Sequence, residues 1–587
     1  MESNWSLEAL YKGLDDEKFS SDFAQMEKDF EERVAFAREN FSGGTENAAS
    51  KLENYINMCN SQNSRASKLL HFVQLILSVN SEDSAAQKMF DKLDDMLTTL
   101  TVPDTLYKAF LAKLDDLDFS TVPVLHEHRF HLQKSKEKAS YMLSEQEEFI
   151  YEKLKLTGSN AWETLYSQLT STLNVPITLD GEDKVLPLPA IRNLANHKNA
   201  DVRKTAYDAE LASYAQIEKS IAACLNGIKG ETITNFKLRG YESVLDMTCK
   251  NDHMDKETLE ALLETMQEYF PVFRKYFKHK AKLLGHKGSL PFYDLFAPVG
   301  ELDMVFTQQE AADYVVKNFN AFSDELGNFA RHAFDNGWVD WIPKEGKLGG
   351  AFCDNIHAIK QSRILTNFSG SFDCMITLAH ELGHAYHGFC LDNVSYLNSH
   401  YTMPIAEVAS TFCETLVCEA AIKSASPAEK LVILENNLQG ASQVIVDIYS
   451  RFLFEDEVIK RRENGSLSVT ELKDIMLNAQ KVAYGDGLEA TALHPYMWLC
   501  KSHYYYASQH YYNYPYAFGL LFAKGLYSMY QQEGSAFTQK YSALLTATGS
   551  NTLYDTGKII GIDIRDKAFW RSSLDIVASQ VEEFVKY

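Results

Sequence analysis

Two histidines one helical turn apart, with a glutamate between them, constrain this chain more than any other stretch: His380-Glu381-Leu382-Gly383-His384. Residues i and i+4 share a face only in a helix, so the pair can act together only if this segment is helical. The five residues form an H-E-x-x-H motif. Two such imidazoles can hold one zinc ion, and the intervening carboxylate can take a proton from a water beside it. Zinc brings the pKa of such a water to about 7, which suits hydrolysis of a peptide bond at neutral pH. The plainer alternative is an amphipathic helix with surface histidines.

The flanking sequence favours the metal. Residues 363–368 (RILTNF) read as a short strand closed by Ser369-Gly370-Ser371, and Asp373 is placed to cap or charge the start of the next helix. Met375, Ile376, Leu378, Ala379 and Leu382 supply its buried side. An edge strand beside a metal-bearing helix can hold a peptide by its backbone without selecting side chains.

A hydrolytic zinc site needs a third protein ligand and leaves a fourth position for water. On a straight helix His387 lies about 4.5 Å further along the axis than His384, too far to share the ion. The H-x-x-G-x-x-H continuation that would bring in a third histidine is also absent, because His387 holds its glycine position and Cys390 its last one. Glu407 is the better candidate. It stands 27 residues after His380, just inside a new helix that Pro404 can start, with Ser410, Thr411 and Glu414 on its face. Glu414 could orient a ligand histidine from behind, although a solvated helix face explains it equally well.

HELGHAYH followed by IAEVASTFCE resembles the thimet-type zinc peptidases, and most closely their oligoendopeptidase F group. The family's H-E-x-G-H-x-x-H and E-x-x-S-x-x-x-E patterns fall on His380, Glu381, Gly383, His384 and His387, then Glu407, Ser410 and Glu414. The resemblance extends from Trp5–Tyr11 to Gly561-Ile562-Asp563. It implies one Zn2+ per chain held by His380, His384 and Glu407, with Glu381 as general base. It also implies a mainly α, multi-helix fold of two lobes around a deep central channel, with a small β patch beside the zinc helix.

Residues 503–516 (HYYYASQHYYNYPY) hold seven tyrosines. Tyr hydroxyls and His nitrogens are suitable donors to an oxyanion. In the resembling family a His and one or more Tyr of this region serve so. The resemblance places these roles on His503 and on Tyr516 first, Tyr512 second. At least four of the other tyrosines are expected simply to pack, with hydroxyls reaching water.

The 587-residue chain carries a net charge of −23, which argues against nucleic acid or an anionic membrane as partner. No run reaches the roughly 18 apolar residues of a membrane span, and MESNWSLEALYKGLDDEKF has no secretory pattern. Nine scattered cysteines without a C-x-x-C pair read as reduced thiols of a cytoplasmic protein. Apolar residues recur at helical spacing through most of the chain. Residues 177–186 read as a hairpin turning at Asp180-Gly181, and Pro187-Leu188-Pro189 as a boundary. The expected division is an N-terminal helical region at 1–115, an oligoendopeptidase F-type N-terminal domain at 116–190, and a zinc peptidase domain at 191–587. The expected activity is internal cleavage of short unfolded peptides. The rivals are an exopeptidase on the same scaffold, such as a carboxypeptidase or dipeptidyl carboxypeptidase, and a peptide-binding protein without turnover. Oligomeric state is left open.

Overall fold

The computed structural model describes residues 3–116, 119–301 and 304–587. The protein is 69% helical, and its chain divides into two units, each assembled from separated segments.

The first unit comprises Met1–Met142, Met304–Ala420 and Met529–Ile562. Asp16 caps the helix Glu17–Phe41 by accepting from the Lys18 amide. That helix packs against Ala48–Val79, whose Leu69, Phe72, Val73 and Leu75 are buried. These side chains share one core with Phe19, Met26 and Leu93, and with Ile356 and Leu365 from almost 300 residues downstream. Pro123 opens a short helix, Pro123–Glu127, at a position where its missing amide costs nothing.

Ile356 and Leu365 belong to the three-stranded sheet that supports the motif helix. Strand β3 (Val339–Asp340) runs parallel to β5 (Gln361–Leu365), and β4 (Phe352–Ile356) pairs antiparallel with β5, giving the order β3-β5-β4. The strand expected at 363–368 therefore ends earlier, at Leu365, and is central, so β4 is an outer strand of the sheet.

The second unit comprises Leu143–Asp303, Ala421–Ser528 and Asp563–Tyr587. Its hairpin joins β1 (Asn174–Leu179) to β2 (Glu182–Pro187), with Leu179 opposite Glu182. Asp180 and Gly181 have φ of 54° and 80°, the left-handed pair that a two-residue turn requires. Three buried ion pairs tie distant segments together: Lys229–Glu455 at 2.6 Å, Lys280–Glu435 at 2.6 Å and Arg203–Asp294 at 2.7 Å. The basic stretch 274–287 lies largely on the helix Phe270–Leu283. Three of its lysines are matched by carboxylates: Lys275 by Glu582, Lys278 by Asp486 and Lys280 by Glu435.

Candidate metal centre

The motif lies on the helix Phe372–Leu391. Ser371, not Asp373, is its N-cap and accepts from the Cys374 amide; Asp373 adds a negative charge in the first turn. Leu378, Ala379, Leu382 and Ala385 are wholly buried. The Asn355 amide of β4 donates to the His384 carbonyl at 3.0 Å, and its oxygen accepts from Ser362 Oγ at 2.7 Å. The sheet thus grips the helix at the turn bearing the second histidine.

Glu407 stands at a break in the chain. A short turn, Met403–Ala406, ends there, and the longer helix Val408–Ser424 begins just after it. This differs from the expected position inside a continuous helix. The break lets the carboxylate project from a helix start. Ser410 Oγ fixes it by donating to Oε2 at 3.0 Å.

The two helices meet at Gly383. A Cβ there would stand 2.6 Å from both the Ala409 carbonyl oxygen and the Ser410 Cα. Ala in place of Gly usually helps a helix interior by about 1 kcal/mol. Gly383→Ala is expected to do the opposite, destabilising by about 1–3 kcal/mol through overpacking against backbone. Thermal unfolding of the metal-free protein checks the sign.

One oxygen, Glu407 Oε2, lies 3.2 Å from His380 Nε2 and 3.3 Å from His384 Nε2. The ligand atoms of the three residues all fall within 4.8 Å of one another. Ligands at 2.0–2.1 Å on a tetrahedral zinc are separated by about 3.3–3.4 Å, so this spacing fits such an ion. Charge points the same way. Burial disfavours the charged imidazole of His380, but hydrogen bonds with Glu407 and Glu414 outweigh it and raise its pKa to about 10. Burial likewise opposes ionisation of Glu407, yet the two histidines hold its carboxyl well below the usual carboxylate range. The carboxylates thus favour a positive charge at this position.

Glu414 Oε2 is 3.2 Å from His380 Nδ1. A carboxylate behind a ligand imidazole fixes its tautomer and turns Nε2 toward the metal position. Glu381 is 6% exposed, and burial raises its pKa despite the two neighbouring histidines. His387 is fully buried, stacks on Tyr401 at 4.1 Å between ring centres and bonds to Thr548 Oγ1 at 2.9 Å. Burial, then the His384 charge, lowers its pKa to about 3, so it packs as a neutral ring. Among the described residues Cys374, Cys390 and Cys413 do not join the ligand cluster.

His503, Tyr512 and Tyr516 belong to the second unit and gather there. The His503 ring is 5.3 Å from Tyr512 and 6.1 Å from Tyr516, and Tyr512 is 5.8 Å from Tyr516. Tyr506, which sequence reasoning did not single out, completes the group at 5.7 Å from His503 and 5.5 Å from Tyr512. Its only signal was its place in the tyrosine run. Burial, then Arg451 and Lys501, lowers the His503 pKa to about 4, so its ring is neutral. Its Nδ1 is buried without a partner among the described residues.

Tyr504, Tyr505, Tyr511 and Tyr514 are buried, as a packing role demands. Three of the hydroxyls bond to protein rather than reaching water as expected: Tyr505 donates to the Trp498 carbonyl at 3.0 Å, Tyr511 to Asp456 at 3.0 Å and Tyr514 to Asp252 at 2.5 Å, whereas the buried Tyr504 hydroxyl has no partner among the described residues. His510 is buried beside Thr232 Oγ1 at 3.0 Å and Lys229 Nζ at 3.4 Å.

The sequence model of Peptidase family M3 matches residues 193–576, and that of Oligopeptidase F matches 102–174. Oligopeptidase PepF of Bacillus subtilis is 27% identical over 435 residues, an alignment covering 72% of this chain but only 63% of that protein. Group B oligopeptidase PepB of Streptococcus agalactiae is 26% identical over 480 residues, covering 80% and 76%. The fold matches a crystallised Chlamydophila abortus protein described as a peptidase, with a TM-score of 0.84, 19% identity and coverage of 100% and 98%. It also matches oligoendopeptidase F from Enterococcus faecium, with a TM-score of 0.70, 18% identity and coverage of 97% and 99%. With two thirds of its length matching the family's own pattern and a histidine–glutamate cluster suited to a metal, the chain belongs to peptidase family M3 and is a peptide-hydrolysing metalloenzyme.

Proposed function

We propose that this protein is a zinc endopeptidase that cleaves internal bonds of short, unfolded oligopeptides. The observation carrying this reading is the near-tetrahedral spacing of His380, His384 and Glu407 with Glu381 on the same helix. When bound there, zinc supplies a Lewis acid that polarises the scissile carbonyl and acidifies water. Glu381, made more basic by burial, takes a proton from the attacking water and delivers it to the leaving amine, so that peptide and water become a carboxylate and an amine. Glu414 holds the His380 ring through Nδ1. His503 through a ring N–H and Tyr516 through its hydroxyl donate to the developing oxyanion, with Tyr512 as the second choice.

Tyr516→Phe is expected to lower kcat by roughly ten- to a thousandfold with little change in KM. Steady-state kinetics checks it, and an effect confined to KM would remove the donor role. Residues 191–587 are assigned as the peptidase domain because every residue named above lies within them; 116–190 and 1–115 are assigned as the N-terminal domain and helical region. A cytoplasmic location is supported by the nine cysteines, all free thiols. No described helix is long and apolar enough to cross a membrane.

The deciding assay uses a quenched fluorescent peptide blocked at both ends, with and without chelator and with zinc restored. Internal cleavage that follows the zinc supports the proposal. Trimming of only the unblocked peptide would make the enzyme an exopeptidase. Binding without cleavage of either would make it a peptide-binding protein.

A further inference from the structure

The second unit contains a cavity of about 370 Å³ that the chemistry above does not use. Its apolar wall is formed by Ile191, Tyr207, Phe292, Phe296 and Met497, and its polar side by Arg192, Glu210, His494 and Lys501. Glu210, His494 and Cys500 are close enough to one another to hold a cation, but a fixed cation is already there. Arg192 Nε lies 3.4 Å from Glu210 and its Nη1 donates to the Cys500 carbonyl at 3.1 Å. Tyr214 also donates to Glu210, at 2.6 Å. A metal ion would have to displace the guanidinium.

Counting charges leaves one cation over. Arg192 is set against Glu210, Arg203 against Asp294 at 2.7 Å, and Arg451 against Asp447 at 2.7 Å. Lys501 alone lines the cavity with no carboxylate partner and no side-chain hydrogen bond among the described residues. Burial, then the Arg451 charge, lowers its pKa to about 8; Arg192 adds to this, while Asp447 and Cys500 oppose it. An ammonium removed from water without a counter-charge is costly, and an anion bound beside it recovers that cost.

We infer that this cavity binds a small monocarboxylate with an apolar or aromatic body, its carboxylate on Lys501 beside Arg192 and its body against Tyr207, Phe292 and Phe296. One surplus cation suits a single negative charge better than a phosphate dianion, and the aromatic wall has no use for inorganic phosphate. The volume suits a ligand the size of an amino acid or dipeptide, near the lower end of ordinary ligand pockets. Both a peptide's C-terminal residue and a free organic acid carry this chemistry. The inference is independent of the metal cluster and would stand even if that cluster bound no zinc.

Isothermal titration of the full chain with N-acetylphenylalanine, its amide and inorganic phosphate tests it. The measurement is made with metal bound and after chelation; binding that survives chelation cannot be to the metal. The acid is expected to bind at least tenfold more tightly than the amide or phosphate, and Lys501→Gln, with an unchanged circular dichroism spectrum, to lose at least tenfold of that affinity. Equal affinity for acid and amide in the unmutated protein, or binding that vanishes with the metal, would overturn the inference whether or not the variant folds. A comparison of N-acetylglycylphenylalanine with 3-phenylpropionate identifies the source: tighter binding of the first supports a peptide end, and equal binding supports a free acid.

Discussion

Glu381→Gln keeps its metal and loses turnover by roughly 10²- to 10⁴-fold, the usual contribution of a general base. The expectation rests on the separation of duties along one helix. The candidate ligand atoms come from His380, His384 and Glu407, and Glu381 is not among them. Its carboxyl is buried, which raises its pKa and strengthens it as a base. Glutamine fills the same space and can still hydrogen-bond, but it cannot take a proton. Metal content per chain and hydrolysis of the blocked quenched peptide are measured on the same preparation. Full metal with full activity would place the base elsewhere. Loss of both would mean that Glu381 supports the metal rather than the water.

His384→Ala and Glu407→Ala should each abolish activity by removing the metal. Losing a partner behind a ligand typically costs 10- to 100-fold in affinity; losing a ligand itself should cost more. Glu407 contributes the single oxygen that faces both imidazoles, at 3.2 and 3.3 Å, so its removal also leaves the cluster without its central negative charge. Zinc binding to the native state stabilises by about 4 kcal/mol when free zinc is 1,000 times the dissociation constant. Added zinc should therefore raise the unfolding temperature of the unmutated protein and leave that of either variant almost unmoved. A variant that still gains the full shift would show that its missing side chain is not a ligand.

Much of this site was readable because it depends on local spacing. His380 and His384 had to face one way once the segment was helical, and Glu407 was reachable as a carboxylate near the start of the next helix. What spacing could not carry were facts created by distant packing. The role of Gly383 is set by the Ala409 carbonyl approaching from the other helix, and no pattern within HELGH announces it. The break at Glu407 was hidden because Pro404 and the apolar residues after it suit a continuous helix. The outer position of β4 was missed because FCDNI lacks the alternation that marks a half-buried strand, and only the order β3-β5-β4 reveals it. The tyrosine run was ambiguous for the same reason: Asp252, Asp456 and the Trp498 carbonyl, which occupy three hydroxyls, come from outside it.

The interleaved chain has a consequence for biosynthesis. Leu69, Phe72 and Leu75 share a core with Ile356 and Leu365, so the early helices leave the ribosome long before the strands that cover them. Between residue 142 and residue 420, where the second segment of the first unit ends, translation at about 5–20 residues per second takes roughly 15 to 60 s. During that interval the nascent N-terminal helices present an unmatched apolar face, and the first unit closes only when residues 529–562 have also been made. Chaperone occupancy on ribosome-bound chains should therefore begin with the first 142 residues and persist until nearly the whole polypeptide has been synthesised.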